Sequence, residues 1–122
     1  MVNAFQTSNE NISLVRGDTL AFGILLFEIN EVNDDDGIPL QQDLDECSFT
    51  VRKDFFNENI AIQKTIGNGI EKAAQGEYRV RIAPEDTANM DVGIYYYDCD
   101  INLNSDTFTI LKGSFEILPN MA

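Results

Sequence analysis

The chain has 122 residues, 43% of them hydrophobic, which is enough for one domain with its own core and too apolar for a disordered segment. Twenty-one acids against eight bases leave a net charge of −13, which argues against binding nucleic acid or an anionic membrane through phosphate groups. The apolar run from Ala21 to Ile29 is broken by Gly23 and Glu28, well short of a membrane span, and Met1–Gln6 has neither the basic patch nor the apolar core of a secretory signal. A single domain over 1–122 is therefore expected, with no nucleic-acid or membrane partner.

In chain order, the first landmark is Arg16-Gly17-Asp18. It lies between two apolar runs, Ile12–Val15 and Thr19–Ile29, where two strands must be joined. Glycine supplies unusual backbone angles there and aspartate can cap its own turn, so the tripeptide reads as a turn rather than an adhesion motif. Along Thr19–Ile29 the apolar parity is expected to switch, from Phe22 and Ile24 to Leu25, Phe27 and Ile29, as at a bulge or where a strand switches sheets. Glu31, Asn33 and Asp34-Asp35-Asp36 then crowd an acidic loop. Counting back from Gly37 puts Val32 at the first EF-hand position, so that calcium pattern fails. The loop reads as solvated, with an irregular calcium site as the alternative.

Cys47–Arg52 alternates with period two, which turns Arg52 outward. Gly67-Asn68-Gly69 predicts a hairpin. Glu77–Ile82 alternates again, with Arg79 and Arg81 outward. Pro84–Ala88 predicts one helical turn, with proline early and acids near its start. From Tyr95 to Leu103 every odd position is apolar or aromatic, so Tyr95, Tyr97, Cys99, Ile101 and Leu103 are expected in the core and Tyr96 outside. Thr107–Leu118 shows a second parity switch, from Phe108 and Ile110 to Leu111, Phe115 and Ile117. The total is about seven short strands, the pattern of an all-β antiparallel sandwich.

The chain has no histidine and no G-x-S-x-G elbow, so no enzyme activity is expected, and no cofactor or metal centre. Charge divides unevenly. Residues 1–50 hold ten acids and one base (−9), residues 51–82 six bases and four acids (+2), and residues 83–122 seven acids and one base (−6). The outward Arg52, Arg79 and Arg81 in the middle third form the proposed protein interface. Cys47 and Cys99, 52 residues apart, have neither zinc nor redox spacing, and both share the parity of core residues.

Asp91-Val92-Gly93-Ile94-Tyr95 has the D-x-G-x-Y form of the tyrosine corner in immunoglobulin-type sandwiches, with Asp91, Gly93 and Tyr95 as its residues. The cysteine and tryptophan of antibody domains are absent: Tyr97 stands where the cysteine would be, and the chain has no tryptophan. Arg16-Gly17-Asp18-Thr19, Phe49–Lys53, Gly67–Ile70, Gly76–Val80, Pro84–Thr87, Gly93–Asp98 and Ile110–Ile117 follow in an order that resembles small β-sandwich domains of tailed bacteriophages, best known as the N-terminal domains of upper-baseplate proteins. The resemblance covers about residues 12 to 118. It implies a non-enzymatic virion protein, assembled in the bacterial cytoplasm. Its partners would be other virion proteins (capsid, baseplate, tail or fibre) or further copies of itself. Baseplate domains of this kind are followed by others, so a chain ending at Ala122 is expected to suit a capsid decoration, adaptor or fibre-anchoring role equally well. In that compartment the two thiols are expected to be reduced, the alternative being the inter-sheet bridge of immunoglobulin domains. The alternative function is a glycan- or surface-binding sandwich module, with Tyr96 as the aromatic platform.

Overall fold

The computed structural model describes residues 8–28, 38–54 and 59–120. In chain order the strands are β1 (Ser8–Asn9), β2 (Ile12–Val15), β3 (Leu20–Leu25), β4 (Phe27–Glu28), β5 (Ile38–Pro39), β6 (Glu46–Arg52), β7 (Ile60–Ile66), β8 (Gly69–Ala74), β9 (Glu77–Ile82), β10 (Gly93–Leu103) and β11 (Asp106–Leu118). One helical turn, α1 (Pro84–Thr87), precedes β10 where the sequence predicts it, with the Ala83 N–H donating to Asp86 Oδ2 at 2.7 Å. The protein is all-β, and seven strands, β3 and β6 to β11, have six residues or more. Glu31, Asn33 and the aspartates 34–36 lie outside the described residues.

Nine strands form one sheet in the order β1-β11-β10-β6-β7-β8-β9-β3, with β2 also paired to β11; β4 and β5 form a separate ribbon. The pairing is mixed rather than purely antiparallel, because β1·β11, β2·β11 and β7·β8 are parallel. The sheet curls over its own face. Phe22 on β3 and Phe49 on β6 have three strands between them in the order, yet their ring centroids are 5.6 Å apart. Phe49 also stacks on Tyr97 at 5.2 Å and meets Phe115 edge-on at 6.2 Å. Around these rings lie Val51, Ile70, Val80, Ile82, Cys99, Ile101, Leu103 and Ile117, all fully or almost fully buried. The whole odd-numbered set from Tyr95 to Leu103 is buried, as the alternation requires.

The two expected parity switches have different outcomes. In β11 the switch is real: Cys99 pairs with Leu111 and Asp100 with Thr109, so Ile110 is the extra residue of a bulge and turns inward. In β3 no switch occurs. Its register against β9 runs unbroken from Leu20↔Ile82 to Leu25↔Glu77, which holds Leu20, Phe22, Ile24 and Leu26 on one side. Leu25 is left 62% exposed and Phe27 47% exposed. An unbroken ladder cannot change parity.

Gly67-Asn68-Gly69 does not form the expected hairpin. Reciprocal hydrogen bonds between Thr65 and Asn68 close one tight turn, after which β8 runs parallel to the end of β7 and joins β9 instead. Two-residue hairpin turns lie instead at Asn104-Ser105, both at positive φ, between the paired Leu103 and Asp106, and at Gln75-Gly76 between the paired Ala74 and Glu77. At Arg16-Gly17 the turn reading fits. Gly17 has φ +87°, the Asp18 N–H donates to the Val15 carbonyl at 2.9 Å, and the Gly17 N–H donates to the buried Thr87 hydroxyl at 2.8 Å. Backbone and Thr87, rather than the exposed Asp18 carboxylate, define this turn.

Candidate functional site

The outer face of β10 is set by its even positions. Tyr96 stands opposite Arg52 on β6 and Ser114 on β11. Asp98 stands opposite Thr50 and Lys112, and Asp100 opposite Ser48 and Thr109. Directly opposed residues share a face, so the register brings one aromatic ring, carboxylates and bases together. The β11 bulge decides one of these neighbours: with Ile110 turned inward, Thr109 takes the place beside Asp100 and its hydroxyl donates to Asp100 Oδ1 at 2.7 Å.

Arg52, Asp54, Tyr96, Asp98, Thr109 and Lys112 line a pocket of about 360 Å³. Burial pushes the Asp98 carboxyl above its usual value, the neighbouring Asp100 adds to the shift, and Arg52 opposes it. The Arg52–Asp98 pair is loose, at 3.7 Å with side chains 35% and 38% exposed, so it contributes little to stability and both groups can turn to a ligand. Tyr96, expected outside, is on this outer face and half-buried. Sequence parity does not single out Asp54, Thr109 or Lys112; the available signal is Lys112, the only base in residues 83–122.

The structure divides the three arginines. Arg52 belongs to the Tyr96 pocket, whereas Arg79 and Arg81 are exposed on β9, beyond β7 and β8 in the strand order. There they line a second depression of about 380 Å³ with Lys64, Glu71 and Glu85. Arg79 pairs with Glu77 at 3.6 Å, and Lys64 reaches Asp86 at 2.9 Å with both side chains largely buried. Cross-strand register therefore makes two separate basic positions from what sequence parity alone treats as one.

At the entrance to β10, the Tyr95 hydroxyl donates to the Asp91 carbonyl at 2.9 Å, and Lys53 Nζ sits 4.6 Å from the centre of the Tyr95 ring. The Arg16 guanidinium donates to the Met90 carbonyl at 3.4 Å, tying the 16–18 turn to this loop.

Cys47 and Cys99 are free thiols, 1% and 0% exposed. Cys99 pairs with Phe49 and Cys47 with Ile101, so the thiols are diagonal neighbours on the adjacent strands β6 and β10. Diagonal pairs stand about 7–8 Å apart, beyond the Cα separation of about 5.5–6 Å that disulfides prefer. A bridge between these two would be a strained link within adjacent strands, not the inter-sheet bridge of immunoglobulin domains. The Cys47 thiol beside it, together with burial, pushes Cys99 above the ordinary thiol range, which makes it a poor nucleophile.

Among the described residues no group of histidine, cysteine or carboxylate side chains has the arrangement of a metal site, and no helix is long and apolar enough to cross a membrane. The chain matches no protein-family model and no curated protein.

Proposed function

We propose that the chain is an immunoglobulin-like β-sandwich that serves as a non-enzymatic structural protein of a tailed-bacteriophage virion, assembled in the host cytoplasm and acting through contacts with other virion proteins or further copies of itself. The strand order carries the fold part of this reading. β11-β10-β6-β7 corresponds to the G-F-C-C′ layer of a variable-type sandwich and β8-β9-β3 to its D-E-B layer. The Phe22–Phe49 contact across the fold and the tie from Tyr95 to Asp91 support the same assignment. For the role, the support is the order of motifs from Arg16 to Ile117 and the exposed arginines on an otherwise acidic molecule.

The direct experiment is mass spectrometry of purified phage particles for peptides of this chain; particles that lack it would end the virion reading. The docking face is then mapped with two variants instead of one, because the structure separates the arginines. Arg79→Ser with Arg81→Ser should lower the copies incorporated per particle at low salt, and the difference from the parent should shrink as salt is raised, since exposed ion pairs are screened beyond about 8 Å at physiological ionic strength. Arg52→Ser should leave incorporation unchanged.

A further inference from the structure

The Tyr96 pocket has a composition that the assembly role does not use. Its charges are mixed: Arg52 and Lys112 face Asp54 and Asp98, with Asp100 held nearby by Thr109. An anionic ligand would meet the carboxylates, and a cation would meet the two bases. A purely apolar ligand would strip water from all four charged groups without replacing their hydrogen bonds. A neutral polyhydroxylated ligand avoids each conflict, because every hydroxyl can donate to a carboxylate and accept from a guanidinium or ammonium group. Adjacent ring hydroxyls also match the paired oxygens of a carboxylate and the fork of an arginine. Tyr96 supplies a flat apolar surface for the C–H face of such a ring. A volume of about 360 Å³ lies at the lower end of small-molecule pockets, the size for one sugar ring.

We propose that the pocket formed by Arg52, Asp54, Tyr96, Asp98, Thr109 and Lys112 on the outer face of β6, β10 and β11 binds a neutral hexopyranose. The ring lies against Tyr96, with its hydroxyls bridging the carboxylate of Asp98 and the donors of Arg52 and Lys112. This inference stands apart from the assembly role, whose arginines lie on β9. Protonation of Asp98 removes its charge and turns one of its acceptor oxygens into a donor, so affinity falls as pH is lowered through its raised pKa.

The test is a titration of the isotope-labelled protein followed by amide NMR, with free glucose, galactose, mannose and N-acetylglucosamine in turn, and glycerol as the control polyol. The expected result is saturable shifts from at least one sugar, centred on residues 52, 96, 98, 109 and 112. Tyr96→Phe should retain binding, Tyr96→Ala should lose at least about tenfold, and Asp98→Asn should lose about as much, the effect of removing one charged hydrogen-bonding partner. Each variant's spectrum away from the pocket reports whether it is folded. The proposal is overturned if none of the four sugars moves these signals, if glycerol reproduces the shifts at equal concentration, or if folded Tyr96→Ala binds as the parent does. Incorporation into particles is read separately, so either conclusion can fail alone.

Discussion

The hairpin of β10 and β11 and the crossing from β7 to β8 are built by opposite means. In the hairpin two long strands pair in register from Gly93↔Ile117 to Leu103↔Asp106, interrupted by one bulge. Local alternation fixes every face, and a two-residue turn at Asn104-Ser105 closes it. At the crossing only two rungs join β7 to β8, in parallel, and the chain changes partner from β6 to β9. There the structure depends on where the rest of the molecule places the backbone. The hairpin should therefore fail by loss of apolar burial, and the crossing side by backbone collision.

The largest effect that would break this contrast is expected in the hairpin. Ile101 is 1% exposed at the centre of β10, and Ile101→Ala should cost about 2–5 kcal/mol of stability, read as a lower denaturant midpoint. A loss below about 1 kcal/mol would show that burial does not dominate there.

Next comes Gly76, in the turn that leads from β8 to β9. It sits at φ +74°, and a Cβ would stand 2.7 Å from the Leu40 N and 2.8 Å from the Leu26 carbonyl oxygen. That carbonyl accepts from the Leu40 N–H, and the Leu26 N–H donates to the Gly76 carbonyl at 2.8 Å, so no neighbour can move without breaking a backbone bond. Gly76→Ala should cost about 1–3 kcal/mol by strain alone and disturb the Leu26 and Leu40 amides. Unchanged amide shifts at those two residues would refute the collision.

Tyr95→Phe removes the hydroxyl bonded to Asp91 and keeps the ring, and it should cost about 1 kcal/mol. A melting temperature equal to that of the parent would separate β10's stability from this tie.

The last effect is a pH dependence inside the hairpin, confined to alkaline solution. The Tyr97 hydroxyl donates to the Glu10 carbonyl at 2.8 Å, and burial, with Glu10 and Cys99 nearby, pushes its pKa up to about 12. The folded state keeps this proton where the unfolded chain has lost it. The associated stability is therefore complete below about pH 10 and is lost as pH rises toward 12. Absorbance of phenolate should show a late step toward pH 12, and Tyr97→Phe should remove it.

The two mixed outcomes of parity show how far local pattern reaches. The switch at Ile110 is legible because Phe108, Ile110, Leu111, Phe115 and Ile117 all find buried or half-buried places once one residue is bulged. At Leu25 the same kind of pattern misleads, because the unbroken β3·β9 ladder exposes it whatever its hydrophobicity, and Phe27, on the separate β4·β5 ribbon, is exposed as well. A residue's cost of exposure is a few kcal/mol at most, less than the cost of breaking a paired edge.

By itself the sequence determined what short-range sterics and period-two burial can dictate. It determined the all-β class, the inward set from Tyr95 to Leu103, the single turn at Pro84–Thr87, the backbone turn at Arg16-Gly17 and the parity switch in the last strand. Only the tertiary structure decided which strands meet. It made three pairings parallel, sent Gly67-Asn68-Gly69 across to β9's neighbour instead of back along β7, parted Arg52 from Arg79 and Arg81, and set Lys112 opposite Asp98. Parity is a property of one strand and is written in its residues. Partner and register depend on loop closure and on burial shared among distant segments, which no local stretch encodes.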